Sequence, residues 1–127
     1  MQTRQVTTSD APAAIGPYSQ AILAGDVLYC SGQIGLDPRT GELVAGGFEA
    51  EARQVLANLQ AVVAAAGLSL ADAVRITVYV VDLADFPRLN ELMATTFRQP
   101  YPARATVQVA ALPRGARVEV DLVAVRR

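Results

Sequence analysis

The sequence predicts an α+β domain in which a mixed sheet carries two helices on one face. Stretches with strand-like alternation of apolar residues flank two stretches with helical periodicity, in the order strands, helix, strand, helix, two strands. The chain has 127 residues, the size of one domain. It shows no repeat, linker or low-complexity tract. A single domain is therefore predicted over residues 1–127.

The N-terminal third predicts two strands after an irregular stretch. Gly16 and Pro17 end that stretch. Residues 18–23 and 27–34 then alternate as strands do, and the short segment AGD joins them as a hairpin turn. A second turn is predicted at residues 37–41 (DPRTG), where the glycine closes the loop.

Two amphipathic stripes predict the helices, and an apolar run between them predicts a strand. The first stripe runs over residues 48–66 and is closed by Gly67. The second begins after Asp85, a candidate N-cap, with Pro87 in its first turn. Its members are Phe86, Leu89, Met93 and Phe97. Residues 74–81 are rich in β-branched side chains, which predicts a strand buried on both faces.

The last quarter of the chain predicts a hairpin with charged groups on an apolar face. Residues 102–109 and 118–125 alternate as strands, and the segment 111–116 is expected to join them. Alternation places Arg104 and Thr106 on one face of the first strand, and Glu119 and Asp121 on a face of the second that also carries valines. The hairpin is therefore predicted to carry an arginine, a hydroxyl and a carboxylate on one shared, otherwise apolar face. A guanidinium there suits a two-point grip on a carboxylate or phosphate. The alternative is a surface salt bridge between Arg104 and Asp121 or Glu119.

Composition limits the classes of function. A hydrophobic fraction of 52% with 18% charged residues leaves an apolar surplus, which is typical of chains with subunit interfaces. The net charge of −1 and the lack of a basic run argue against nucleic-acid binding. No segment approaches the roughly 18 apolar residues of a membrane span, and the first residues lack a signal-peptide core. The single cysteine, Cys30, suits a cytoplasmic location and is expected to pack in the core.

Missing residue types exclude several chemistries. The chain has no histidine, so Ser-His-Asp and Cys-His relays and imidazole zinc sites are ruled out. One cysteine cannot supply a thiolate site in their place. No phosphate-binding glycine loop occurs. We therefore predict no metal and no cofactor, and chemistry must use Arg, Glu, Asp, Tyr, hydroxyls, backbone groups and water.

Four segments carry a resemblance to a known family. They are residues 11–20 (APAAIGPYSQ), 31–34 (SGQI), 64–67 (AAAG) and the C-terminal stretch that begins PAR at residue 102. In this order and spacing the chain resembles the RidA (YjgF/YER057c/UK114) family from about residue 10 to the C-terminus. The resemblance implies a chorismate-mutase-like fold in a homotrimer. The three sheets would pack into a central barrel, with a pocket at each subunit boundary.

The resemblance also implies an enzyme, a deaminase of 2-imino acids. Members of the family hydrolyse 2-iminopropanoate, 2-iminobutanoate and enamines such as 2-aminoacrylate to 2-keto acids and ammonia. Arg104 matches the arginine that binds the substrate carboxylate, and members that lack it are not expected to deaminate imines. Glu119 matches the glutamate near the attacking water, where a carboxylate can move protons in both directions. Its alternative role is to neutralise Arg104.

The remaining family positions imply a pocket shared between subunits. Thr106 falls where several members carry a cysteine, so a thiol nucleophile is missing; its hydroxyl or carbonyl positions water, or it packs. Four more residues fall on substrate-binding positions: Tyr18, Ser31, Gly32 and Asn90. Arg104 and Glu119 are expected from one chain and some of the others from its neighbour. The connection from Phe97 to Pro102 is shorter than in some relatives, so substrate size is the least transferable property.

Two other classes of function stay open at this level. The same superfamily includes non-catalytic trimers that bind small molecules or proteins, and an exposed apolar surface would suit a chaperone-like role. Ribonuclease activity, sometimes attributed to the family, lacks support because the chain has neither histidine nor a basic groove. Trapping of an imine with semicarbazide, with and without the protein, separates the enzyme from the binding modules.

Overall fold

The computed structural model describes residues 2–127 and contains a six-stranded mixed sheet with two helices on one face. The strands are β1 (Thr3–Val6), β2 (Ala21–Ala24), β3 (Val27–Gln33), β4 (Ala73–Val80), β5 (Ala103–Gln108) and β6 (Val118–Val125). The helices are α1 (Gly47–Ala65) and α2 (Phe86–Thr96). The predicted fold class is confirmed. Met1, the first residue of the predicted domain, lies outside the described residues.

The strand order corrects the predicted C-terminal hairpin. The order in the sheet is β1-β2-β3-β6-β4-β5, with β6 antiparallel to both β3 and β4 and β5 parallel to β4 at the edge. β5 and β6 therefore do not pair, and the hairpin prediction is wrong. Residues 109–117 form a connection longer than the two to five residues of usual hairpin loops, and it passes the end of β4. Val109 N donates to Val80 O there.

The core lies between the two helices and one face of the sheet. Side chains of β6 alternate between buried and half-buried, and the buried set faces α1. The largest fully buried side chains include Leu28, Leu59, Ile76, Leu89 and Leu122, which come from both layers. The predicted stripe of α1 is confirmed. This helix starts at Gly46 and Gly47, whose positive φ angles of 119° and 81° favour glycine.

The opposite face of the sheet carries no helix. Ile76, Val78 and Val80 of β4 are buried, whereas Thr77 and Tyr79 between them are partly exposed. The prediction that this strand is buried on both faces is therefore wrong for the single chain. We call the uncovered side the open face; its residues include Tyr29, Thr77, Tyr79, Val107, Glu119, Asp121 and Val123.

The N-terminal segment differs from its prediction in two respects. Residues 3–6 form the strand β1, whereas the whole stretch up to Pro17 was predicted to be irregular. Three of the four residues in β1 are polar and only Val6 is buried, so the strand has no apolar alternation in the sequence. β2 starts at Ala21 rather than at residue 18, because Gln20 is committed to the preceding loop. Its amide accepts from Thr8 N at 2.7 Å and donates to Pro12 O at 2.7 Å.

The second helix follows its predicted stripe, with a different cap. Leu89, Met93 and Phe97 are buried, and Pro87 lies in the first turn, as predicted. Asp85 precedes the helix but makes no side-chain capping bond. Asp82 accepts from Ala84 N at 2.9 Å and so caps the 3-10 turn Leu83–Asp85 that leads into the helix, three residues before the predicted cap. Within residues 2–127, neither helix combines the length and apolar character needed to cross a bilayer.

Candidate active site

Arg104 is held at the sheet edge by α2. It lies opposite Ile76 in the register of β5 and β4, so its side chain leaves the sheet on the helix-covered side. Its Nη2 donates to Asn90 Oδ1 at 2.5 Å, and its guanidinium carbon lies 5.4 Å from the centre of the Phe86 ring. Such a cation–π contact orients a guanidinium. Among the described residues no carboxylate pairs with Arg104, so the alternative role, a salt bridge with Asp121 or Glu119, is wrong.

Arg104 and Asn90 form the polar end of a cavity of about 410 Å³. The rest of its wall is mostly apolar and comes from α2 and the connection to β5. Met93, Phe97 and Tyr101 line it there. We call this space the Arg104 cavity. A positive group at the end of an apolar cavity suits a ligand that has both a carboxylate and an apolar part.

Glu119 lies on the open face, packed against Gly32. A Cβ atom at position 32 would lie 2.9 Å from Cδ of Glu119, so only glycine leaves room for this carboxylate. Glu119 and Gly32 line a second cavity of about 290 Å³ together with Tyr18 and Ile15. Tyr18 is 53% exposed at its rim. We call this space the Glu119 cavity.

Burial raises the pKa of Glu119, and the nearby carboxylate of Asp121 raises this pKa further. Asp121 accepts a hydrogen bond from the Tyr79 hydroxyl at 3.1 Å, and this bond is the main reason why the pKa of Tyr79 is also raised. A carboxyl group with a raised pKa holds a proton closer to neutral pH. Glu119 is thereby suited to take and return protons.

Ser31 and Thr106 differ in how their hydroxyls are used. Ser31 Oγ donates to Ser19 O at 2.6 Å, which fixes the loop that carries Tyr18. The Ser31 hydroxyl proton is therefore used in this internal hydrogen bond, while the Ser31 oxygen can still accept a hydrogen bond. Thr106 lies opposite Val78 on the same side as Arg104, and its buried Oγ1 has no hydrogen-bond partner among the described residues.

The predicted site residues fall into two groups on opposite faces of the sheet. Arg104 lies opposite Ile76, whereas Glu119 lies opposite Tyr79, three residues along the same strand. An odd offset along a strand puts the two side chains on opposite faces of the sheet. In addition, β4 lies between β5 and β6, so these two strands are separated by twice the usual spacing of about 4.8 Å between neighbouring strands. The prediction of a shared face is wrong. Asn90 groups with Arg104, and Tyr18 and Gly32 group with Glu119.

Sequence reasoning missed Phe86 and Glu51. Phe86 was predicted only as a core position. It lies four residues before Asn90, so the two side chains share a helix face, and this spacing could have indicated that Phe86 belongs to the same site as Asn90. Glu51 is fully buried and accepts from Arg117 N at 2.7 Å and from Arg117 Nη1 at 2.8 Å. This contact fixes the chain two residues before Glu119. A buried glutamate on a helix face gives no distinctive pattern in the sequence.

Cys30 packs in the core, as predicted. It is buried, and burial is the main cause that raises the pKa of its thiol to about 12. Such a thiol is a poor nucleophile. Residues 2–127 also contain no group of three or more His, Cys, Asp or Glu side chains that could hold a metal ion.

The fold and the two cavities define a small α+β protein with an arginine at the polar end of an apolar cavity. Residues 8–126 match the family model described as Endoribonuclease L-PSP. The chain belongs to the RidA/YjgF/L-PSP family. It is 47% identical over 123 residues to the human protein named 2-iminobutanoate/2-iminopropanoate deaminase, covering 97% of this chain and 90% of that one.

Solved structures of relatives have the same fold. RidA from an Antarctic Psychrobacter is similar with a TM-score of 0.93 and 49% identity, covering 96% of this chain and 98% of that one. E. coli TdcF with bound serine is similar with a TM-score of 0.90 and 40% identity, covering 98% of this chain and 99% of that one.

Gly32→Ala is expected to lower kcat by about ten- to a hundredfold, because it would move the carboxylate of Glu119, the predicted proton-transfer group, out of position. The new Cβ would push the Glu119 carboxylate aside. The fold should persist, since Gly32 is exposed and its φ is not positive. Kinetics and thermal unfolding check this result. In a Glu119→Gln background the same change should cost little more, whereas independent, additive losses would contradict the contact.

Proposed function

We propose that this chain is a 2-iminobutanoate/2-iminopropanoate deaminase, a hydrolase acting on a carbon–nitrogen bond. Water adds to the C=N bond of a 2-imino acid, and the products are a 2-keto acid and ammonia. Enamines such as 2-aminoacrylate enter as their imine tautomers. The carrying observation is Arg104, oriented by Asn90 and Phe86 at the polar end of an apolar cavity. Relatives of this name that match nearly the whole chain support the proposal.

Arg104 binds the substrate carboxylate. Asn90 engages one of its amino groups and Phe86 covers one face of the guanidinium, which leaves the other N–H groups for a two-point contact. Each charged hydrogen bond contributes about 1.5–3 kcal/mol. Bound serine in the E. coli relative is consistent with a site for small molecules that carry a carboxylate next to a nitrogen-bearing carbon.

Glu119 handles the protons of hydrolysis. As a carboxylate it takes a proton from water while the oxygen bonds to the imine carbon. It returns this proton to the imine nitrogen, which gives a carbinolamine with a hydroxyl and an amino group on the same carbon. Glu119 then takes the proton of that hydroxyl and delivers it to the amino group, so that the C=O bond forms, the C–N bond breaks and ammonia leaves. The chain contains eleven arginines and no lysine. No lysine amine is present to form a Schiff base with substrate or product, so water adds directly.

Thr106 and Ser31 supply further polar contacts in this proposal. The Thr106 hydroxyl lies on the side of Arg104, and its buried Oγ1 has no hydrogen-bond partner among the described residues, so we assign it to hold a water molecule there. The oxygen of Ser31 and the backbone at Gly32 serve the Glu119 side. Tyr18 closes that cavity with its exposed ring.

We infer that the complete site forms between neighbouring copies in a homotrimer. One chain keeps Arg104 and Glu119 on opposite sheet faces, so one small substrate cannot contact both within it. The open face exposes Tyr29 by 53% and Val107 by 41%, an apolar surface suited to a subunit interface. Arg104 and Asn90 come from one copy, and Glu119, Gly32 and Tyr18 from the next. This division replaces the one expected from the sequence.

The proposed homotrimer can be tested directly by measuring the mass of the protein in solution. Light scattering at micromolar protein should give three times the chain mass of 13.4 kDa. Obligate interfaces of this kind bury upwards of about 2,000 Å² and resist dilution. A stable and active monomer would contradict the shared site.

Asp121→Asn is expected to shift the acid limb of the pH profile of kcat/KM to lower pH. That limb reports the ionisation of Glu119 in the free enzyme, and the charge of Asp121 helps to raise the pKa of Glu119. Rates over a pH series check the shift. Glu42→Gln removes an exposed carboxylate elsewhere and serves as the control. An unchanged limb in Asp121→Asn would show that another group controls the profile.

The activity is tested by competition with semicarbazide. An amino-acid oxidase generates 2-iminopropanoate or 2-iminobutanoate, and semicarbazide traps what the protein leaves. The proposal expects less trapped product when the protein is present, at unchanged oxidase rate. Equal trapping would instead favour a non-catalytic binding trimer. A cytoplasmic location is part of the proposal, and the single buried thiol supports it.

A further inference from the structure

We propose that Glu51, a fully buried carboxylate of α1, is a positioning residue that holds Glu119 in place against Gly32. The inference rests on the proposed function, in which Glu119 transfers protons, and it adds a residue that acts on Glu119 only through the backbone. Among the described residues Glu51 is the only buried side chain that carries a charge. Burying a carboxylate is costly unless it is hydrogen-bonded and paired, so the groups that bind Glu51 indicate what it holds.

The carboxylate of Glu51 binds the chain at the point where β6 begins. Its Oε1 accepts from Arg117 N at 2.7 Å, and its Oε2 accepts from Arg117 Nη1 at 2.8 Å. Arg117 directly precedes β6, and Glu119 is the second residue of that strand. Arg117 O accepts from Val81 N at 3.3 Å, just after the end of β4. The backbone two residues before Glu119 is therefore held both by α1 and by the chain that follows β4.

The same helix holds the chain just after β3, the strand that carries Gly32. Gly35 packs so closely on α1 that a Cβ atom at position 35 would lie 2.9 Å from both Cα and O of Glu51. Asn58 lies two turns further along the same face of α1 and donates to Leu36 O at 3.0 Å. The two strands whose residues meet in the Glu119 cavity are therefore both fixed by α1.

The contact between Glu119 and Gly32 needs this support because the strand ladder is interrupted there. The register of β3 and β6 shifts between Cys30 and Gln33, and the pairing of the two strands stops at Val120. Such an irregularity leaves residues unpaired and weakens the local ladder. A misplacement of about 1 Å can lower a rate by about a hundredfold, so the position of Glu119 has to be held from outside the ladder.

Glu51→Met is expected to lower kcat by about tenfold or more, because methionine has a similar length but offers Arg117 N only a weak acceptor. KM should hardly change, since Arg104 binds the substrate. Glu51→Gln keeps an oxygen for Arg117 N, and the Arg117 side chain, which is 53% exposed, can turn its guanidinium to water. The glutamine variant should therefore keep kcat within about threefold of the wild type. Steady-state kinetics on 2-iminobutanoate, normalised to the folded fraction from circular dichroism, measure both.

Glu51→Asp is a milder variant that tests the same contact if methionine prevents folding. Aspartate keeps the charge for Arg117 but is shorter by one methylene, so the start of β6 must shift toward α1 to keep both bonds. We expect kcat to fall by about threefold or more at unchanged KM, because the shift carries Glu119 with it. A folded aspartate variant with the wild-type kcat would overturn the inference.

Two controls separate positioning from a general loss of structure. Glu49→Met makes the same change two residues earlier on α1, where the exposed ion pairs with Arg53 and Arg88 contribute little, so kcat should be kept. In a Glu119→Gln background, Glu51→Met should lower the residual rate by less than about twofold, because no proton-transferring carboxylate remains to be displaced. An equal loss with and without the Glu119 carboxylate would show that Glu51 only stabilises the fold.

A titration of Glu119 tests the contact without any measurement of activity. NMR of protein with isotope-labelled glutamate follows this group, whose signal is the one lost in Glu119→Gln. Burial and the charge of Asp121 raise the pKa of Glu119 in the wild type. In Glu51→Met this pKa should fall toward the ordinary value of a glutamate, because the displaced carboxylate is better hydrated. Glu49→Met should leave the pKa unchanged.

The outcomes separate this inference from the proposed function. A Glu119 pKa that stays unchanged in Glu51→Met overturns the inference, whether or not imines are hydrolysed. A wild type that hydrolyses no imine overturns the proposed function, and the titration then decides the contact alone. A lower pKa, together with a loss of kcat that Glu51→Gln largely restores and that depends on the Glu119 carboxylate, supports both.

Discussion

Arg104→Ala is expected to abolish detectable imine hydrolysis while the fold and the assembly persist. The change removes two charged hydrogen bonds to the substrate carboxylate, about 1.5–3 kcal/mol each, or together roughly a hundred- to ten-thousandfold in kcat/KM. Arg104 is exposed at a sheet edge and its partners are Asn90 and the Phe86 ring, so its loss leaves the core unchanged. The semicarbazide assay measures the activity, and light scattering measures the assembly.

Arg104→Lys is the control that separates charge from geometry. Lysine keeps the positive charge but cannot make the planar two-point contact or the same contact with Asn90. We expect it to recover little of the activity. An alanine variant with near wild-type activity would refute both the site and the function.

Glu119→Gln is expected to lower kcat by about a hundredfold or more with little change in KM, as the loss of a positioned acid–base group typically does. Glutamine keeps the shape of the side chain against Gly32 but cannot take a proton. The measurement is steady-state kinetics on 2-iminobutanoate. Glu42→Gln, a change at an exposed glutamate, should retain full activity.

The stability of Glu119→Gln follows from the sign of the pKa shift. Folding raises the pKa of Glu119, so the ionised carboxylate opposes folding once the pH rises above the unfolded-state value. At neutral pH the glutamine variant should therefore unfold at the same or a higher denaturant concentration than the wild type. A loss of stability with unchanged kcat would make Glu119 a structural residue.

Local patterns predicted the elements well and their partners poorly. The helical stripes of α1 and α2 and the alternation of β6 are properties of single segments, so periodicity reveals them. Pairing is set by the whole sheet. The insertion of β6 between β3 and β4, which separates it from β5, left no mark in the turn at residues 111–116. β1 was missed because its residues are mostly polar and exposed.

The division of the site was beyond sequence reasoning for a similar physical reason. Arg104 and Glu119 each stood out by residue type and by the family resemblance. Whether they share a face depends on which residues of β4 lie opposite them. Arg104 lies opposite Ile76 and Glu119 opposite Tyr79, and because these positions are three residues apart, the two side chains lie on opposite faces. Nothing local to β5 or β6 records that register. The contact of Phe86 with Arg104 likewise depends on how α2 packs.

The central claim, that each site combines Arg104 of one copy with Glu119 of another, is tested by mixing Arg104→Ala and Glu119→Gln subunits. The two variants carry different tags, are refolded together, and mixed trimers are purified through both tags. Before that selection, a random mixture should recover about one quarter of wild-type activity, since about one boundary in four pairs an intact Arg104 with an intact Glu119. Each variant refolded alone should keep about one hundredth of wild-type activity or less. Purified mixed trimers that are as inactive as either variant alone would contradict the account.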